Sequence, residues 1–326
     1  MLFGLLTALF WGISDYLIRL LGGRVTLRTS LVWTQGIAAT VVLGASLASG
    51  HVPYATVDIA TIPMLALAAL TGAIGLGLLF FAFQTGRVVV VAPLTGSYAI
   101  IATLLGLAAG TERLAWPVLA VIALISFGAL MVMSHDDQGR EGHSHLGTVA
   151  AVASAFASGI AIWLTVAFVL PRVAVPDVLL TNFGVLAVAA LLWGRPSQVT
   201  LPAGREAWGL IAGIAIGTVG GYGAYNLGLE RNGIAVASIL STLSSAITVL
   251  LAAILSKETV GRSQKVGIAI ILVGLPLLAA FRESAARTEP SQWNQTLGSV
   301  YLPTPFSRSM TTGARPPAIG YFPEAS

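Results

Sequence analysis

One carboxylate, Asp15, sits inside an otherwise apolar run from residue 2 to residue 22. Inserting a carboxylate at that depth costs on the order of 3 kcal/mol, so it is kept for contact with a proton, an ion or a cationic group. Arg19 follows at i+4, where it can pair with Asp15 and reach the nearby interface, which gives a purely structural reading of the same two residues. A second set of groups is a hydroxyl stripe, Ser238, Ser241, Thr242 and Ser245, whose spacing puts all four on one helical face. Such a stripe either lines a wet cavity and donates to a substrate or glues helices together. Tyr222, Tyr225 and Asn226 offer aromatic surface with hydroxyl and amide partners, with interfacial anchoring as the alternative for the tyrosines. Trp11, Trp163 and Tyr98 are the remaining aromatics well inside apolar runs, suited to substrate contact or to core packing. Arg19 apart, we take these eleven residues as the candidate substrate-binding set.

The elements that carry them are membrane helices. Charged residues are 9% of the chain, hydrophobic residues 56%, and the mean hydropathy is +0.87, which no water-soluble domain sustains. A spanning helix needs about 20 apolar residues. Punctuation by Gly, Pro and charge predicts ten spans: 2–22, 29–50, 57–84, 88–109, 114–134, 146–169, 175–194, 206–229, 233–255 and 261–281. No Lys or Arg precedes the first run and nine runs follow it, so it reads as a span and not as a cleaved signal peptide. The predicted class is an all-α integral membrane protein.

The stretch 72–130 returns 146 residues later as 218–276. Twelve of the 59 pairs are identical, including Gly75 with Gly221, Gly77 with Gly223, Glu112 with Glu258 and Gly128 with Gly274. Five spans in each half is an odd number, so the second copy enters the membrane from the opposite side. Inverted repeats related by an axis in the membrane plane convert an inward-open into an outward-open state by exchanging conformations. The expected organisation is a first repeat over 1–134, a polar linker over 135–145, a second repeat over 146–281 and a disordered tail over 282–326. The linker's three His and three acids carry no fixed ligand geometry, and a flexible connection is preferred to a metal site. Tyr301, Phe306 and Tyr321 in the tail are read as part of an unstructured terminus in preference to a partner motif.

Gly209, Gly213, Gly217 and Gly221 make a smooth groove on span 8 for close helix packing. Trp33, Trp116, Trp193 and Trp208 lie nearer span ends and read as interfacial belt residues. Glu112 and Glu258 precede spans 5 and 10 as helix-start stabilisers. Zero cysteines exclude disulfides and thiolate chemistry, and the net charge of +4 is too dispersed for nucleic acid. No nucleotide-cradling GxxxxGK[ST] loop is present, so a driving force would come from a gradient, exchange or downhill flow.

The first span, with Trp11-Gly12 in Leu-Leu-Thr-Ala-Leu-Phe-Trp-Gly-Ile-Ser-Asp-Tyr, resembles the opening helix of the EamA-type branch of the drug/metabolite transporter superfamily. Tyr225-Asn-Leu-Gly-Leu-Glu-Arg-Asn-Gly-Ile-Ala-Val-Ala-Ser is similar to that family's junction of spans 8 and 9, and Lys257-Glu258 to its Gly-Glu before span 10. Ser256-Lys257 stands where Gly is common there, and Thr111 separates Gly110 from Glu112. The resemblance implies ten helices in two inverted EamA repeats and a central cavity lined by spans 1, 3, 4, 6, 8 and 9. It also implies cytoplasmic termini in a bacterial-type inner membrane. Loop charge points the other way, with nine Lys or Arg after odd spans against three after even spans, or five with the proximal tail. The family-wide topology is given precedence. The function expected is secondary transport of a small organic metabolite or drug, with a proton or counter-substrate as coupling partner and no cofactor. A membrane adaptor acting through the tail is the alternative. An intramembrane enzyme is less well supported, for want of Cys, intramembrane His or paired acids.

Overall fold

The computed structural model describes residues 2–109, 116–133, 145–193, 199–241, 243–256 and 262–288. Glu112, Glu258, Thr242, residues 135–144 of the linker and the tail from 289 onward lie outside the described residues. So do the side chains of Asn226, Glu230, Arg231 and Ser238, whose backbone is helical. The described chain is helical: α1 (Leu2–Gly22), α2 (Leu27–Ala48), α3 (Ile62–Thr85), α4 (Val88–Gly96), α5 (Tyr98–Ala108), α6 (Trp116–Met133), α7 (His145–Leu164), α8 (Val175–Leu192), α9 (Gly204–Ser241), α10 (Leu243–Leu255) and α11 (Arg262–Thr288).

Among the described residues, seven helical stretches are long and apolar enough to cross a membrane: Leu2–Gly22, Leu27–Ala48, Ile59–Thr85, Val88–Gly106, His145–Val169, Val175–Leu192 and Gly204–Tyr225. Leu243–Leu255 and Lys265–Gly274 are shorter apolar helices. Large side chains such as Leu9, Ile74, Val149 and Ile216 are exposed on these helices. A bilayer supplies the apolar solvent such a surface needs.

Local chemistry explains the ends. The Thr26 side chain accepts from the Thr29 amide at 3.2 Å and starts α2 two residues ahead of the expected span. Asp58 caps a 3₁₀ turn, Ile59–Thr61, that leads into α3. Pro176 occupies the first turn of α8, where its missing N–H has no intrahelical acceptor to lose.

Three elements depart from the sequence reading. The run 88–109 is two helices, because α4 stops at Gly96 and α5 starts at Tyr98. Pro93 removes one amide donor from this helix, and the Ser97 and Thr95 hydroxyls bond back to the carbonyls of Pro93, Val91 and Ala92. α9 runs through residues 230–233, where a turn between two spans is expected. That segment holds no Pro, and the lone Gly233 costs a helix only about 1 kcal/mol. α11 continues to Thr288, seven residues past the expected end of the last span.

Packing is organised around α1 with α9 and α3 with α7, followed by α6 with α11 and α2 with α8. α10 packs on α1 and α4, while α4 and α5 pack on α7. α3 touches α8 as α9 touches α2. Glycines permit the closest of these crossings. A Cβ on Gly128 of α6 would come within 2.8 Å of Ile270, and one on Gly274 of α11 would run into Ile125. In the α9 groove Gly213, Gly217 and Gly221 face Leu17, Ser14 and Trp11 of α1, whereas Gly209 has open space.

Candidate functional site

A cavity of about 210 Å³ lies between α1, α3, the α4–α5 break, α7, α8, α9 and α10. Trp11 and Asp15 enter it from α1, one turn apart, so both point the same way. Tyr222 and Tyr225 of α9 meet them. The Trp11 and Tyr222 rings stand edge to face with centroids 5.1 Å apart, and Tyr225 is tilted 35° to Trp11 at 5.6 Å. Phe183 backs Tyr222 at 5.7 Å. The α4–α5 break delivers Tyr98, which shares a side-chain hydrogen bond with Ser241. α3, α7 and α8 build the remaining wall from Leu76, Leu79, Ile162, Val166, Val178 and Leu179, with Ser158, Thr165 and Asn182 between them. A π-helical turn, Thr165–Val169, ends α7 beside this wall and rotates the Thr165 and Val166 side chains onto it.

Asp15 is half-buried and makes no hydrogen bond or ion pair with any described residue. The expected partner is engaged elsewhere, since Arg19 Nη1 donates to the Gln84 carbonyl at 3.2 Å. The α1 backbone rises about 1.5 Å per residue, so Arg19 reaches the end of α3 while Asp15 keeps its level in the cavity. The buried indole Nε1 of Trp11 also has no hydrogen-bond partner among the described residues. An unmet acceptor and an unmet donor thus share one face of the cavity.

The other predicted residues fall as follows. Ser245 lines the cavity, and its hydroxyl donates to the Ala92 carbonyl at 3.2 Å, so it tethers α10 to α4 as well. Ser241 is buried and holds Tyr98 instead of lining the space. Trp163 is outside the lining, edge to face with Phe168 at 5.4 Å in a cluster with Leu164 and Val169. Asn226, Ser238 and Thr242 lie outside what the structure describes at side-chain level.

Sequence reasoning did not pick out Asn182, Ser158, Thr218 or Ser244, all of which line the cavity. A lone amide inside the apolar run 175–194 was the available signal for Asn182. Asp177 was also missed. It is buried in the first turn of α8, with Oδ1 2.9 Å from His51 Nε2 and accepting from the Tyr54 amide at 3.2 Å. Tyr54 holds a left-handed backbone conformation, φ 61°, and its hydroxyl reaches Thr181 at 3.1 Å. The α2–α3 connection is thereby strapped over the start of α8.

The two ends of the bundle differ. The cavity lining extends to Leu170 and Val175, at the connection between α7 and α8. At the opposite ends of these helices, polar contacts draw the chain together. Arg28 donates to the Ala190 carbonyl at 2.8 Å and to that of Leu191, Arg24 pairs with Glu206 at 3.0 Å, and Trp33 stacks edge to face on Trp208 while donating to the Thr200 carbonyl. Trp116 and Trp193 are exposed, as belt residues are. A Cβ on Gly147 would come within 2.6 Å of the Gly86 backbone, so α7 and the α3–α4 turn touch there without intervening side chains.

The sequence model of the EamA-like transporter family matches residues 145–280, from the start of α7 into α11. Solved structures of similar fold include a crystal structure with a TM-score of 0.61, the match covering 88% of this chain and 98% of that chain at 20% sequence identity. No curated protein matches the sequence. The chain is therefore a multi-pass membrane protein by its apolar helices, and its segment 145–280 is similar to the EamA-like transporter family of the drug/metabolite transporter superfamily.

Proposed function

We propose that the chain is a secondary transporter of a small organic solute, working by alternating access between two inverted five-helix repeats over residues 1–134 and 146–281. The observation that carries this reading is the central cavity. Both parts of the chain wall it, it reaches one end of the bundle, and polar contacts close the other. The crossings of the two parts are interchangeable. A Cβ on Gly12 would meet Ile247 and the Ser244 carbonyl, and one on Gly159 would meet Ile101 and the Tyr98 carbonyl. Ile101 and Ile247, like Tyr98 and Ser244, are 146 residues apart, the repeat spacing. Gly75 against Ser158 and Gly221 against Trp11 follow the same exchange. The starts of α5 at Tyr98 and of α10 at Leu243 fall at nearly equivalent positions, beside the cavity, where transporters of inverted repeats carry their binding sites.

On this reading the termini of the ten-span core share one side of an inner membrane, the cytoplasmic side. Rocking would break the Arg24, Arg28 and Arg19 contacts at one end and close α7–α8 against α1 and α9 at the other. The test is reconstitution of the full chain in liposomes with a panel of metabolites and amphiphilic drugs. Saturable accumulation or exchange of at least one solute is expected, and protein-free levels for the whole panel would overturn the reading.

A further inference from the structure

The charges and rings around the cavity specify the kind of solute. Asp15 is the one ionisable acid or base of ordinary pH range among the described lining residues, since Lys, Arg, His and Glu contribute none. Among the described lining residues, a carboxylate, phosphate or sulfate on a ligand would find no cation. α8 begins at the cavity and would offer the positive end of its dipole, but Asp177 already occupies its first turn. A positive group finds the opposite situation. Asp15 has no hydrogen-bond or ion-pair partner among the described residues, and one turn away Trp11, Tyr222 and Tyr225 gather three rings, the tyrosine centroids lying 5.1 and 5.6 Å from that of Trp11. Ring faces attract cations through their quadrupole, most strongly where water is excluded. The α3, α7 and α8 wall is largely aliphatic and has no charge to match a second ionic group.

We propose that the cavity takes a monovalent organic cation with an apolar body, its ammonium held between Asp15 and the Trp11, Tyr222 and Tyr225 rings and its body against Leu76, Leu79, Ile162 and Val178. Zwitterions and anions are rejected because their carboxylate would be desolvated without a counter-charge. The Trp11 indole N–H is left to donate to a neutral acceptor on the ligand. This assignment deepens the transport reading and rests on it for the cavity being a substrate site.

The test is calorimetric binding to the purified full chain in nanodiscs, with four probes on one skeleton: 2-phenylethylammonium, its N-trimethyl derivative, 2-phenylethanol and phenylalanine. Both cations are expected to bind, with the alcohol and phenylalanine at least about tenfold weaker, a difference of about 1.4 kcal/mol. Asp15→Asn should weaken the cations by about tenfold and leave the alcohol unchanged. Tyr225→Phe should keep cation affinity and Tyr225→Leu should lose it, because the ring face and not the hydroxyl makes the contact. Phenylalanine binding as tightly as the cations, cations that do not bind, or cation affinity indifferent to Asp15→Asn would each overturn the assignment. If Asp15→Asn does not fold, the four-probe order on the unaltered chain decides. Binding is read without transport, so cations that bind but are never moved refute the transport reading alone. Transport of zwitterions without cation binding refutes this assignment alone.

Discussion

Gly12→Ala and Gly159→Ala probe the two crossings that bring α1 onto α10 and α7 onto α5. A Cβ on Gly12 would stand 2.7 Å from Ile247 Cβ and 3.0 Å from the Ser244 carbonyl oxygen. On Gly159 it would stand 2.5 Å from Ile101 Cβ and 2.8 Å from the Tyr98 carbonyl oxygen. Ordinary contact begins at 3.4 Å, so the nearest atoms are 0.7 and 0.9 Å too close. Backbone oxygens are among them, and a rotamer change cannot relieve those. Overpacking of this kind costs about 1–3 kcal/mol, while Ala over Gly in a helix interior gains about 0.5–1 kcal/mol. Gly36 in α2 and Gly184 in α8 have no atom within 4 Å of an added Cβ and serve as controls that carry the helix gain alone. Unfolding in mixed micelles with rising dodecyl sulfate, followed by tryptophan fluorescence, should place the two crossing variants about 1–3 kcal/mol below the two controls. Gly159→Ala should be the more affected, and both should slow transport if the halves pivot there. Crossing variants as stable as the controls would refute the close approach. A loss confined to one of them would refute the equivalence of the two crossings.

Asp177→Ala removes a buried acceptor of the Tyr54 amide and the His51 ring, and it should destabilise the chain by about 1.5–3 kcal/mol. Limited proteolysis should then cut within 49–61, and an unchanged digest would show that the strap does not depend on this carboxylate. Removing residues 289–326 spares all of α11 and should leave solute uptake unaltered. An uptake-competent core without the tail excludes the adaptor reading, and loss of function despite a folded core would establish it.

The apolar runs are legible because a bilayer fixes the length of a span and because Gly, Pro and charge mark its ends. The bounds of α1 coincide with the first run, and those of α4–α5, α7 with its π turn, and α10 fall within or close to theirs. Which way each helix faces is much less legible. In a soluble protein the apolar stripe points inward, but here lipid and core are both apolar, so hydropathy does not distinguish the two faces. On the uniformly apolar α3, Ile74 faces out while Leu76 faces the cavity. Polar residues break that degeneracy, and Asp15, Trp11, Tyr98, Tyr222 and Tyr225 all line the cavity. The same reasoning could not separate Trp163, whose ring lies on Phe168, or anticipate α8 as a wall. The α4–α5 break was equally hidden, because Pro is tolerated inside membrane helices, and the Thr95 and Ser97 hydroxyls bond carbonyls in the last turn of α4.

Positions one repeat apart fall into those that hold the bundle and those that line the cavity. Gly75 and Gly221, Gly128 and Gly274, and Ile101 and Ile247 are the same residue types at the same kinds of crossing. Tyr222 and Tyr225 correspond to Leu76 and Leu79, and Tyr98 to Ser244, all of them lining the cavity. Helix approach must match on both sides if two halves are to exchange shapes, so glycine is retained where a Cβ would collide. A solute near the axis is under no such constraint, because it is not itself two-fold symmetric. One wall can therefore gather rings and a carboxylate while the other stays aliphatic, and under the proposed transport this inequality, set in a matched frame, would give the cavity a preferred orientation for a ligand with one charged and one apolar end.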